Sequence, residues 1–142
     1  MQKYFLFIIL TVFITTACAT TPVSNRSVLI LIPQSQEISL GKQSYDQILK
    51  EETESEDAQL NQIVSRVGQR IVAVSDMPKL EWEFKLIESE KKNAFALPGG
   101  KVAIYSGLLA VAKNEAGLAT IMSHEIAHVI ARHGAQRMTQ QM

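Results

Sequence analysis

The feature that most constrains this sequence is an apolar stretch near its C-terminal end that three ionisable side chains interrupt. His124, Glu125 and His128 lie among apolar neighbours there, namely Ala116, Leu118, Ala119, Ile121, Met122, Ile126, Val129 and Ile130. Apolar residues on all sides predict a central buried helix that begins near Asn114 or Glu115. Because burying an unpaired ionisable group is costly, the three residues need partners or a ligand.

The spacing of the three residues is that of a zinc site. His124 and His128 are four residues apart, so their imidazoles project from nearly the same line on a helix and can reach one tetrahedral Zn²⁺ at about 2.0–2.1 Å. Glu125 is rotated by about 100° from His124, where its carboxylate reaches a water on the metal rather than the metal. The pattern predicts a peptidase in which Glu125 takes a proton from the attacking water. A histidine pair satisfied within a core is the alternative.

Zinc peptidases use three protein ligands, and the residues after His128 supply no obvious third. In one large class a Gly follows the second His by three residues and a third His by six, whereas Ala131 and Gly134 occupy those positions here. That class is excluded. His133 is about 180° from His124 on a continuous helix, so it is predicted to cap the helix C-terminus unless the helix ends abruptly before it.

The N-terminal residues have the features of an export signal. An almost unbroken apolar run covers residues 5–14, about half of the roughly 20 residues that a membrane-spanning helix needs. The small residues Thr15-Thr16-Ala17 follow it. We predict a signal peptide over residues 1–18, to be left out of the fold.

Cys18 is the only cysteine and stands where bacterial lipoproteins carry their acylated cysteine. Thr15 takes the place of the Leu that usually lies three residues before it. A lone free thiol is a liability in an oxidising compartment, which favours lipidation of Cys18. An incidental cysteine in an ordinary cleaved signal is the alternative. Ala19, where Asp would retain a lipoprotein in the inner membrane, indicates the outer membrane, and residues 19–27 are predicted to be a tether.

Residue periodicity divides the remaining chain, residues 28–142, into helices and strands. A helical pattern begins at Ser35, and a second helix, with Ser55 as its predicted cap, carries a single apolar stripe made of Leu60, Ile63, Val64, Val67, Ile71 and Val74. The period then changes to two, in a strand that places Leu80, Trp82, Phe84 and Leu86 on one side. Extended segments at 93–97 and 101–105 flank Pro98-Gly99-Gly100, a strong turn signal. The order predicts an α+β fold with helices packed on a small antiparallel sheet.

Three segments in this order resemble one family of gluzincin metallopeptidases: Asn-Ala-Phe-Ala-Leu-Pro-Gly-Gly at 93–100, Val-Ala-Ile-Tyr-Ser-Gly-Leu-Leu at 102–109, and His-Glu-Ile-Ala-His-Val-Ile-Ala-Arg-His-Gly at 124–134. The family includes the CAAX prenyl proteases, the heat-shock protease HtpX and the mitochondrial inner-membrane stress protease. With the signal peptide and Cys18, the sequence resembles the branch of bacterial lipoprotein peptidases to which LoiP and YcaL belong. The resemblance covers residues 28–142.

The resemblance implies a role for each matching residue. His124 and His128 would be ligands of one Zn²⁺ and Glu125 the catalytic base. Asn93 and Ala94 would lie at the edge of the cleft and bind the substrate backbone by strand addition, although an ordinary edge strand is the alternative. The family's third ligand is a Glu on a later helix, in an E-x-x-x-D arrangement. We therefore expect residues 28–142 to be the N-terminal part of a zincin-like domain, incomplete before that helix.

The expected function is that of a zinc-dependent metalloendopeptidase of the cell envelope, on the periplasmic side of the outer membrane. Its substrates would be unfolded or unassembled envelope proteins, and a lipid anchor would hold it at the membrane. Nucleic acid is not expected as a partner, because 14 Lys and Arg residues balance 14 Asp and Glu residues. The alternatives are a non-catalytic envelope lipoprotein that keeps the fold and a truncated, inactive fragment.

Overall fold

A small mixed sheet lies at the centre of the computed structural model, which describes residues 18–20 and 27–142. Its strands, in spatial order, are β3 (Glu83–Ile87), β5 (Lys101–Tyr105) and β4 (Ala94–Leu97). A separate antiparallel ribbon pairs β1 (Cys18–Thr20) with β2 (Ser27–Leu29). The helices are α1 (Gln34–Glu51), α2 (Ala58–Ala73), α3 (Ser106–Ala112), α4 (Glu115–Ile130) and α5 (His133–Gln140). The predicted α+β class is confirmed.

The pairing of the strands corrects one detail of that prediction, because the sheet is not wholly antiparallel. β4 and β5 form the expected antiparallel hairpin, and Gly99 and Gly100 adopt positive φ values of 86° and 79° in its turn. β3 pairs with β5 in parallel. Val102 and Ile104 of β5 are 0 % exposed. β5 therefore takes the central position, where both of its edges and faces are covered, and β4 crosses to the far edge.

Helices cover both faces of the sheet. On one face α2 and α4 pack over alternate strand residues in a core made of Val64, Val67, Val72, Leu86, Val102, Ile104, Leu108, Ala112, Leu118, Met122, Ile126 and Ile130. On the other face Tyr45 of α1 packs with Ile87, Ala103 and Tyr105. The Tyr45 hydroxyl donates a hydrogen bond to the Val102 carbonyl at 3.4 Å, and burial raises the pKa of Tyr45. The sheet thus holds α1 and α4 at fixed positions on opposite sides.

α2 begins at a different cap from the one predicted. The Asp57 carboxylate accepts a hydrogen bond from the Leu60 backbone N–H at 2.9 Å, whereas the Ser55 hydroxyl accepts only from the Asp57 N–H at 3.4 Å. The backbone explains the shift, because the Ser55 N–H donates to the Leu86 carbonyl at 2.8 Å and Ser55 therefore extends the edge of β3. Asp57 is the first residue free to cap the helix.

α4 differs from the predicted helix in how it is buried. Leu118, Met122, Ile126 and Ile130 face the sheet and are at most 5 % exposed. On the opposite side Ser123 and His124 are exposed. Among the described residues, α4 therefore lies on the sheet with one buried side, and the side that carries the motif is open.

The predicted export signal and most of the predicted tether lie outside the residues that the structure describes, because these do not include 1–17 and 21–26. Cys18 is described only as backbone, in β1. In the described part of the chain, no helix combines the length and the apolarity required to cross a membrane.

Candidate metal centre

α4 presents the predicted motif near its C-terminal end. The helix begins at Asn114, whose side-chain oxygen accepts a hydrogen bond from the Gly117 N–H at 2.9 Å, and its last residue is Ile130. The cap fixes where the helix begins. The buried residues, which recur every fourth position, decide which side of the helix faces the sheet. His124 and His128 consequently project away from the sheet, one turn apart.

The two imidazoles of the motif converge as two ligands of one metal ion would. His124 Nε2 lies 3.1 Å from His128 Nε2, and the ring centroids are 4.6 Å apart. Two bonds of about 2.0–2.1 Å at a tetrahedral angle place their donor atoms about 3.3–3.4 Å apart. The observed separation is within a few tenths of an ångström of that value, so this donor pair fits zinc.

Glu125 lies beside this pair and is half-buried. None of the hydrogen bonds and ion pairs found among residues 27–142 involves its carboxylate, in contrast to Glu115 of the same helix, which pairs with Arg66. A carboxylate next to the metal ligands and not held by another side chain is able to accept a proton from a bound water.

The structure contradicts the prediction that His133 caps the C-terminus of the motif helix. A continuous helix would turn it away from His124, but α4 ends at Ile130 and Arg132 adopts a left-handed conformation with φ 53°. His133 begins α5 instead of capping α4, and its Nδ1 lies 2.5 Å from His128 Nδ1. Burial lowers the pKa of His133, and the neighbouring His128 and Arg137 lower it further. The three histidines thus form a chain of rings with His128 in the middle.

His133 does not complete the metal site, because it meets the nitrogen of His128 that faces away from His124. Within residues 18–20 and 27–142, no group of three or more His, Cys, Asp or Glu side chains is arranged to hold a metal ion. The described donor set therefore consists of His124 and His128. The third ligand that the resemblance implies, a Glu of a later helix, stays a prediction.

The other predicted site residues, Asn93 and Ala94, lie at the free edge of the sheet. β4 is the outer strand beside α4, and the Tyr105 N–H donates to the Asn93 carbonyl at 3.1 Å. Because residues of an antiparallel pair alternate between bonded and non-bonded positions, Ala94 and Ala96 direct their backbone groups away from β5. Asn93 is left with its side chain for any external contact, and Ala96 joins Ala94 at the open edge. The period-two pattern of β4 is the signal that could have identified Ala96.

A helix with two converging imidazoles and a neighbouring carboxylate, next to an open strand edge, is the arrangement of metal-dependent peptidases. The sequence profile of Peptidase family M48 matches residues 57–142. The chain belongs to this family of metallopeptidases, in agreement with the resemblance in its sequence.

Named relatives agree with this assignment. The mitochondrial metalloendopeptidase OMA1 of Schizosaccharomyces pombe is 51% identical over 75 residues, which are 53% of this chain and 22% of the relative. The putative beta-barrel assembly-enhancing protease of Vibrio cholerae is 44% identical over 85 residues, 60% of this chain and 18% of the relative. The beta-barrel assembly-enhancing protease of Escherichia coli is 34% identical over 122 residues, 86% of this chain and 25% of the relative. The matched part is a quarter or less of each relative's length.

Proposed function

We propose that this chain carries the metal-binding helix and the catalytic base of a zinc-dependent endopeptidase that acts in protein quality control in the cell envelope. The observation that carries the proposal is the 3.1 Å approach of His124 Nε2 and His128 Nε2 on the open side of α4, with Glu125 beside them. Membership of the family supports a peptidase, and a metal cofactor is expected with it. Zinc suits an all-imidazole donor pair better than magnesium or calcium, which prefer oxygen ligands.

The residues of this chain divide the chemistry between them. His124 and His128 would hold the ion through their Nε2 atoms. When bound, zinc would supply Lewis-acid chemistry, which polarises a carbonyl and lowers the pKa of a water. Glu125 accepts the proton of the attacking water and then delivers it to the leaving amide nitrogen, so the carboxylate ends the cycle as it began.

The edge strand β4 supplies a means of holding the substrate. The backbone N–H and C=O groups of Ala94 and Ala96 point away from β5 and have no hydrogen-bond partner among the described residues, so an extended peptide that pairs with them would add a strand to the sheet. Backbone pairing does not depend on the substrate's side chains, which suits a peptidase acting on unfolded or unassembled proteins. The Asn93 side chain is placed at the start of this edge and would contact the same peptide.

The test of the catalytic proposal is hydrolysis of labelled casein by the zinc-loaded native protein that contains this chain. Glu125→Gln should lower the rate by about 10²–10⁴-fold, because a general base contributes that much. Glu115→Gln, on the same helix but in an exposed ion pair, is the matched control and should keep full activity. Equal rates for the Glu125→Gln variant and its parent would exclude Glu125 as the base.

A non-catalytic protein that keeps the fold is the second candidate, and the presence of only two donors in the described residues favours it. Zinc content separates the two candidates. One chelator-sensitive Zn²⁺ per chain, lost in His124→Ala and in His128→Ala, supports the peptidase. A folded protein that binds no zinc supports the non-catalytic candidate.

We also propose that the protein is exported and anchored by a lipid on Cys18, on the periplasmic side of the outer membrane. The support is the apolar run at residues 5–14 followed by small residues and the single cysteine. Radiolabelled palmitate should enter the parent chain and not Cys18→Ser. Thr15→Leu, which restores the usual lipobox residue, should raise incorporation, and equal labelling of Cys18→Ser would disprove the anchor.

A further inference from the structure

Both ring nitrogens of His128 have a histidine partner. Its Nε2 lies 3.1 Å from His124 Nε2, and its Nδ1 lies 2.5 Å from His133 Nδ1. A neutral imidazole carries a proton on one nitrogen and a lone pair on the other, and only the lone pair binds a metal. The group that contacts one ring nitrogen of His128 therefore decides whether the other ring nitrogen is available to a metal.

The contact with His133 requires one proton between the two Nδ1 atoms, and only the form in which His128 donates that proton leaves the His128 Nε2 lone pair for a metal. If His133 Nδ1 offers its lone pair, then His128 Nδ1 carries the proton and donates it across the 2.5 Å contact. His128 Nε2 then keeps its lone pair, on the side that faces His124. His133 in turn carries its own proton on Nε2. In most metal sites a carboxylate or a backbone carbonyl accepts this second hydrogen bond of the ligand, and here the acceptor is another imidazole.

The backbone that carries His133 is fixed on its N-terminal side by the preceding residue. Arg132 Nε and Nη2 both lie 2.8 Å from Glu37 Oε2 of α1, and Arg132 Nη2 also reaches the Ile32 carbonyl at 3.4 Å. The Glu37 side chain is 5 % exposed, so this ion pair is shielded from water. The left-handed turn at Arg132 is thereby tied to the opposite side of the sheet.

The C-terminal side of His133 is held by close packing. A Cβ added to Gly134 would lie 3.2 Å from Pro98 Cγ, in the turn between β4 and β5. α5 therefore begins directly against that turn. With the ion pair before it and this contact after it, His133 meets His128 from a defined direction.

We propose that His133 is a positioning residue, which accepts the Nδ1–H of His128 and so holds the Nε2 lone pair of His128 toward the metal. The inference rests on the proposed zinc site and adds a residue to it. His133 binds no metal in this role and acts only through His128.

Two variants of the native protein that contains this chain test this role. His133→Asn places an amide oxygen near the position of His133 Nδ1 and keeps an acceptor, whereas His133→Leu has a similar size and none. The first readout is the tautomer of His128 in the metal-free chain, from two-bond ¹H–¹⁵N correlations. The parent and His133→Asn should show mainly the Nδ1–H form, and His133→Leu should lose that preference. Thermal unfolding confirms that each variant is folded.

The second readout is the affinity for Zn²⁺ alone, measured by competition with a chelator. His133→Leu should bind about 10–100-fold more weakly, the usual cost of losing such a supporting hydrogen bond, and His133→Asn should bind like the parent. X-ray absorption should count the same number of imidazole ligands in the parent and in His133→Leu. Loss of one imidazole ligand in His133→Leu would instead make His133 a ligand and overturn the proposal.

The outcomes separate this inference from the proposed function. Unchanged affinity and tautomer in His133→Leu, in a chain whose zinc depends on His124 and His128, would overturn the positioning role alone. A native protein that is folded and binds no Zn²⁺ would overturn the metal site and the positioning role with it. The tautomer measurement needs no metal, so it reports on the contact in either case.

Discussion

The two sides of α4 are built differently, and the difference separates the fold from the site. On the sheet side, apolar side chains at four-residue intervals are buried, from Leu118 to Ile130. On the outer side, the helix carries His124 in an exposed position and Glu125 half-buried. The sheet side holds the helix by apolar contact, whereas histidine contacts and an ion pair position the imidazoles. The exposed imidazole of His124 can therefore be changed with little effect on the fold.

The largest effect should come from the sheet side. Met122 is 0 % exposed at the centre of the core, and Met122→Ala should lower the free energy of unfolding by about 2–5 kcal/mol through lost contacts and a cavity. The adjacent Ser123→Ala, on the outer side, is the control and should change it by less than about 0.5 kcal/mol. Urea denaturation of both variants measures the free energy of unfolding. Equal decreases in the two variants would show that both sides of α4 support the fold.

The next effect should come from the ion pair at the end of α4. Arg132→Ala leaves Glu37 buried without its partner, which should cost about 3 kcal/mol, the lower end of the range because the Arg132 side chain is 22 % exposed. Arg132→Gly removes the same charge but adopts the left-handed turn freely, so it should be more stable than Arg132→Ala by about 1 kcal/mol. Urea denaturation should resolve this difference, and equal stability of the two variants would mean that the turn is lost with the charge.

A smaller effect should follow from crowding where α1 meets the hairpin turn. A Cβ on Gly41 would lie 2.2 Å from the Pro98 carbonyl oxygen, so Gly41→Ala must move backbone and should cost about 1–3 kcal/mol. Gln43→Ala, two residues on at an exposed position of α1, should be neutral or slightly stabilising. Thermal unfolding compares the stability of the two variants with that of the parent. A neutral Gly41→Ala would mean that α1 can shift away from the turn without loss.

The smallest effect on stability should come from the motif itself. His124 is exposed and packs mainly against another imidazole, so His124→Ala should change the free energy of unfolding of the metal-free chain by less than about 0.5 kcal/mol. The same variant should lose Zn²⁺ binding, measured by chelator competition. A loss of stability as large as that of Met122→Ala would show that the outer side of α4 also holds the fold.

Local patterns in the sequence predicted much of the structure. The stripe from Leu60 to Ile71 predicted α2, although Val74, which the pattern also included, lies beyond the helix and is 88 % exposed. Pro98-Gly99-Gly100 predicted the turn between β4 and β5. The four-residue spacing of His124 and His128 predicted their convergence. Each pattern acts through residues near one another in the chain, where the rotation per residue decides which side chains share a face.

The sequence patterns did not predict features that depend on contacts between residues distant in the chain. β5 pairs in parallel with β3 and is covered by helices on both of its faces, which depends on elements distant in the chain. The cap moved from Ser55 to Asp57 because Ser55 pairs with the edge of β3. In each case a local preference was overridden by a contact that no local pattern encodes.

The sequence by itself determined that this chain carries a helix with two imidazoles and a carboxylate in the spacing of a metallopeptidase, since a fixed helical rotation is enough to bring them together. The tertiary structure decided where that helix ends. Arg132 turns into the left-handed region while its guanidinium binds Glu37, 95 positions earlier in the chain. Because of that turn His133 lies against His128, and the helix that carries the motif gains a third histidine that its spacing alone would have placed on the opposite side.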